Sequence, residues 1–259
     1  MNDPHVVHLE YRIVCDPKRI NWSSAAPAVF EADDFTVAVK DQRAVFRFRP
    51  QIHYGSEDEA KAAVESYRRN WEFMAGLVRG PDAFTLRFVQ SRIVDRAPTP
   101  SNLPVLEVSG ALVVDITGTV NLTLCPARYP EPPTPGTITR TPDIDSMHHR
   151  YLGWRAGKEP LPSMAYFCLT VLESMAEGRR AAAKKFGISS KVLEKVGTLS
   201  SGAGGTLARK GEGLKQPYTP DDEKFLAVAI QHMILRAAEV AQNPDGERQQ
   251  ITINTIKSS

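Results

Sequence analysis

The sequence predicts an α+β fold, an N-terminal antiparallel sheet with one packed helix followed by an all-α C-terminal domain. Three observations carry this expectation. Apolar residues alternate with period two through most of the first half, around one stretch of helical spacing at 56–79. Six prolines crowd residues 126–142. Beyond them the apolar spacing is helical. The chain is therefore divided into an α+β domain at 1–125, a Pro-rich linker at 126–150 and a helical domain at 151–259.

In chain order, residues 6–14 (VVHLEYRIV) form a β-rich run. Residues 35–49 alternate on both sides of the polar centre Lys40-Asp41-Gln42-Arg43. Phe35, Val37 and Val39 fall on one face, as do Phe46 and Phe48, with Arg47 and Arg49 opposite. This predicts a hairpin with one buried and one wet face. Ser56-x-x-Glu59 is a capping box, and Val64, Tyr67, Trp71 and Met74 follow at helical spacing until Gly80-Pro81. Residues 84–94 alternate again, and 105–124 read as two or three strands broken near Gly110 and Gly118.

Proline lacks the amide donor, so 126–142 reads as a stiff, extended connection. Residues 164–176 are apolar nearly all round and predict a buried helix. Gly178 breaks it, 179–186 is short and basic, and Ser189 or Ser190 caps a helix to about Leu199. Thr219 as N-cap, Pro220 at N1 and Asp221, Asp222 and Glu223 in the first turn open the last long helix. Its apolar face is Phe225, Leu226, Ile230, Met233, Ile234 and Ala237. The tail at 250–256 suggests a short strand.

Charge is the main functional signal. The chain has a formal net charge of +2. Residues 179–215 alone hold nine Lys and Arg against Glu194 and Glu212, a formal +7. Such concentration points to an anionic partner, nucleic acid first and an acidic protein second. The candidate nucleic-acid-binding residues are Arg179, Arg180, Lys184, Lys185, Lys191, Lys195, Arg209 and Lys210. Within this segment Ala183, Gly187 and Leu193 look like the helix-turn-helix pattern of a small residue, a turn glycine and a later aliphatic. An ordinary helical hairpin with Gly187 as its C-cap accounts for the same residues. The exposed face of the second helix, Ser189, Ser190, Lys191, Glu194 and Lys195, has no Arg, Asn or Gln for bidentate base contacts. Gly202-Ala203-Gly204-Gly205 before Arg209-Lys210-Gly211 suggests a phosphate cradle, without the GK[ST] of a Walker loop. A flexible surface loop is the alternative.

Catalytic signatures are weak. His148-His149 near Asp143 and Asp145 are metal-ligand types, but a polar linker accounts for them, and no metal or other cofactor is expected. His232, Arg236 and Glu239 share one helical stripe, as a functional triad or a polar seam. Cys15, Cys125 and Cys168 are dispersed and form no CxxC pair, so a reduced, cytoplasmic setting is expected. No secretory signal or membrane span is read, so no membrane partner is expected. These features favour a non-catalytic binding protein. A protein-interaction module using the N-terminal sheet, or an enzyme assembled only in three dimensions, are the alternatives.

Overall fold

A computed structural model describes residues 3–17, 20, 22, 25–97, 128–202 and 218–258. The strands are β1 Pro4–Val14, β2 Ala28–Glu31, β3 Phe35–Lys40, β4 Arg43–Phe48 and β5 Thr85–Asp95. The helices are α1 Glu57–Arg79, α2 Pro142–Arg155, α3 Leu161–Ser174, α4 Arg179–Lys185, α5 Ser190–Gly202, α6 Pro220–Gln242 and α7 Ile253–Lys257. The architecture is α+β, with an N-terminal antiparallel sheet and a packed helix before the C-terminal helices. The strands expected at 105–124 lie outside the described residues.

The chain divides into two compact units. A sheet unit comprises Met1–Arg12, Asn21–Val64 and Arg87–Tyr129. A helical unit comprises Ile13–Ile20, Glu65–Leu86 and Pro130–Ser259.

In the sheet unit the strand order is β2-β3-β4-β1-β5. The β3–β4 hairpin turns through Asp41 and Gln42, both at positive φ (49° and 60°), as a two-residue turn matched to strand twist requires. Its inner face is as expected: Phe35, Val37, Val39, Ala44, Phe46 and Phe48 are all buried. Phe46 lies opposite Leu9 and Val37 and meets the Tyr11 ring edge-on at 5.2 Å. Burying a side chain of this size contributes about 1.5–3 kcal/mol. The start of α1 carries the expected cap, where Ser56 Oγ accepts from the Glu59 amide. The Glu59 carboxylate reaches back to the Gly55 amide instead of to that of Ser56. Gly80, at φ 96°, follows the end of α1.

The helical unit buries Ile144, Met147, Met164, Cys168, Leu172, Val192, Val196, Leu226, Ile230 and Ile234 in one apolar core. α3 is the buried helix expected from its composition. At the start of α6, Thr219 and Asp222 form a reciprocal capping box. Two elements differ from expectation. Residues 142–150, read as linker, begin α2: Thr141 accepts from the Ile144 amide, and Pro142 stands in the first turn, where the missing donor costs nothing. The tail makes one parallel bridge, Ile188 to Ile251, and then turns into the short helix α7.

Candidate functional site

The basic segment folds as a helix, a tight turn and a second helix. Gly178, at φ 128°, separates α4 from α3. Ala182 and Phe186 anchor α4 in the core, and Gly187 reverses the chain at φ 57°, a conformation that favours glycine. Ile188, Val192 and Leu193 then bury the inner face of α5. Ala182 is the fully buried small residue of α4, whereas Ala183, expected there, is half-buried.

Two distant segments pin this turn. The Ser189 amide donates to the Ile251 carbonyl at 2.9 Å, and the Ile251 amide donates to the Gly187 carbonyl at 2.9 Å. Arg236, buried on α6, donates to the Phe186 carbonyl at 3.0 Å and to the Gln249 carbonyl at 2.9 Å, and binds Glu239 at 2.8 Å. Arg236 and Glu239 thus act as a satisfied polar seam. His232 on the same stripe is half-buried, with its pKa lowered first by burial and then by Arg236.

The six described candidate cations fall into two sets. Arg179 pairs with Glu173 at 2.5 Å, and its guanidinium lies over Gly197, so close that an added Cβ there would stand 3.0 Å away. Lys185 donates to the Met175 carbonyl at 2.7 Å, just after the last residue of α3. Lys195 is 3.7 Å from Asp222 and 4.3 Å from the centre of the Phe225 ring. These three tie helices together within the unit. Arg180, Lys184 and Lys191 are exposed and make no ion pair among the described residues. Arg180 and Lys184 are four residues apart on one face of α4. Lys191 stands in the first turn of α5. Arg209, Lys210 and the glycine loop before them lie outside the described residues.

A second feature is a groove of 630 Å3 beside α2, lined by Arg140, Asp145, His148, His149, Arg150 and Phe167 among others. Arg140 and Asp145 pair at 2.6 Å and Arg150 and Glu159 at 2.5 Å, so both cations are engaged. His149 is exposed, but His148 is 8% exposed, with its ring 4.5 Å from that of Phe73. Burial, then the Arg140 cation, lowers the His148 pKa to about 4. This is a neutral core histidine on a helix, which corrects the reading of His148-His149 as linker. Burial also pushes the Cys168 thiol up and away from nucleophilic use. Among the described residues, no group of three His, Cys, Asp or Glu is placed to hold a metal ion.

The sequence alternation sets Arg47 and Arg49 on the wet face of the hairpin. They belong to a larger charged face, because the β1–β4 register sets His8 opposite Arg47 and Arg12 opposite Arg43. Only the pairing of strands distant in sequence brings these residues together. No protein-family model, curated protein or solved structure matches the chain. No helix among the described residues is long and apolar enough to cross a membrane.

Proposed function

We propose that the chain is a non-catalytic binding protein whose helical unit engages an anionic partner, nucleic acid, through Arg180, Lys184 and Lys191. The observation that carries this reading is that these three cations are exposed and unpaired among the described residues. They flank a turn that Arg236 and Ile251 hold in place, so the surface is pre-formed. Arg209 and Lys210 extend it in sequence. Glu194 is exposed among these cations, and the exposed face of α5 carries no Arg, Asn or Gln for bidentate base contacts, so the reading is of phosphate binding with little dependence on base sequence. Cys15 and Cys168 form no disulfide among the described residues, which fits the expected reducing, cytoplasmic setting.

The test is fluorescence anisotropy with a labelled DNA duplex across a salt series. Replacing Arg180, Lys184 and Lys191 together with Gln should weaken binding and flatten the slope of log affinity against log salt by roughly 2–3, at about 0.9 per phosphate contact. Unchanged affinity and slope in the triple variant would remove this surface from the binding site.

A further inference from the structure

We propose that the outer face of the sheet is a second nucleic-acid surface, which takes the phosphate backbone of a duplex through Arg12, Lys40, Arg47 and Arg92. It rests on the reading above, that the partner is nucleic acid. The face follows from strand geometry. Side chains alternate between faces along a strand, and residues opposite one another share a face. Thr36, Arg47 and His8 therefore form one row across β3, β4 and β1, and Lys40, Arg43 and Arg12 another. Ala38, Val45 and Glu10 lie between, with Val29 beside Ala38 on the edge strand β2. Gln90 of β5 bonds Glu10 at 2.7 Å and so joins the middle row. Arg92, two residues on, acts electrostatically on His8 and extends the first row.

Charge on this face is one-sided. Arg12, Lys40, Arg43, Arg47 and Arg92 are exposed. The carboxylates are already engaged, Glu10 by Arg43 at 2.5 Å and by Gln90, Glu31 by Arg49 at 3.4 Å. Asp41 is the other nearby acid, out in the turn beyond Lys40. Arg12, Lys40, Arg47 and Arg92 form no ion pair among the described residues. His8, crowded by Arg47 and Arg92, has its pKa lowered first by burial and then by these two cations.

The occupant follows from what the face has and lacks. The two cationic rows are four residues apart along the strands, about 13–14 Å at the usual rise. That separation is close to the roughly 12 Å between phosphate lines across a duplex major groove. The strip between them has Ala38 and Val45 at its centre, and its carboxylate, Glu10, is buried and paired with Arg43, so the centre presents little bulk between two such lines. Single strands are bound by stacking bases on aromatic rings, and no Phe, Tyr or Trp lies on these three rows, where the one ring is that of the half-buried His8. Protein interfaces place aromatic or Met anchors at the centre, and here the centre is Ala38 and Val45. Three of the four unpaired cations are Arg, whose fork matches phosphate oxygens.

The experiment uses the full chain, a labelled DNA duplex and the same salt series. The sheet variant carries Arg12→Gln, Arg47→Gln and Arg92→Gln, all exposed positions, with folding checked by circular dichroism. Thr36→Glu, which places a carboxylate beside Arg47, is a second and independent variant. The triple variant should bind at least about tenfold more weakly at low salt, with the slope flatter by roughly 2–3, and Thr36→Glu should weaken binding in the same direction. If both variants bind as wild type while the Arg180/Lys184/Lys191 variant loses binding, the sheet surface is overturned and the helical surface stands. If wild type prefers single-stranded DNA, poly-glutamate or anionic vesicles to the duplex, the assigned occupant is overturned. No binding of any nucleic acid at low salt overturns both readings.

Discussion

Acidification should destabilise the helical unit through one side chain, His148. The ring hydrogen-bonds the Phe73 backbone, and its Nε2 is buried with no hydrogen-bond partner among the described residues. In the folded chain its pKa is lowered to about 4, first by burial and then by Arg140. In the unfolded chain the ring titrates at about 6.5. The unfolded state therefore binds more protons between these values, and stability falls as pH falls. The contribution is fully present above about pH 6.5, declines below it and is lost near pH 4. The whole difference is about 2.5 pKa units, or about 3.4 kcal/mol, of which about 2.5 kcal/mol is lost by about pH 4.5. The assay is urea denaturation at about pH 7.5, about pH 5.5 and about pH 4.5, on wild type and on His148→Asn. The variant carries every other titrating group, including His5, His8 and His232, whose pKa values are also lowered. Wild type should lose about 2.5 kcal/mol more than the variant by about pH 4.5, and about 1.4 kcal/mol more by about pH 5.5. If the two lose stability in parallel, to within about 0.5 kcal/mol, His148 is not held neutral by the fold and the reasoning is wrong.

The same contact makes Gly76→Ala informative. In an open helix this change gains up to about 1 kcal/mol, but a Cβ here would stand 3.0 Å from His148 Nε2, so a net loss of about 1–3 kcal/mol is expected. Made on a His148→Ala background, the substitution should become neutral or stabilising, and equal losses on both backgrounds would show that the contact is irrelevant. In α6, Ile234→Ala should cost about 2–5 kcal/mol, because that side chain is fully buried. Thr219→Ala should cost about 1 kcal/mol through the lost capping box, and equal denaturation midpoints for the two variants would contradict the assigned face.

Local signals and distant ones divided the legible from the illegible. The hairpin, α1, α6 and the α4–α5 turn were visible because period, cap and turn residues agreed within a few positions. α2 was missed because proline density was taken as a breaker throughout. Yet Thr141-Pro142-Asp143 repeats Thr219-Pro220-Asp221, the signal that correctly opened α6. With it, the spacing of Ile144, Met147 and Tyr151 would have identified the helix. β2 has only four residues and no periodicity to read. The basic segment was legible as composition, but its partition was not. Arg179 and Arg180 are neighbours in sequence, and only packing shows that one is spent on Glu173 and Gly197 while the other is free among the described residues. The cationic face of the sheet depends on the β1–β4 register, which joins residues as far apart as His8 and Arg47 and which no local pattern encodes.

The clasp on Gly187 also sets an order of events during synthesis. Arg236 follows Phe186 by 50 positions, and Ile251 is later still. At roughly 5–20 residues per second, a nascent chain waits several seconds after making the turn before the groups that close it exist. Through that interval Phe186, Ile188, Val192 and Leu193 have α3 to cover them but neither α6 nor the tail. The chain is then most exposed to misassociation, and a synonymous change that slows translation between residues 190 and 251 would lengthen that window without altering the finished protein.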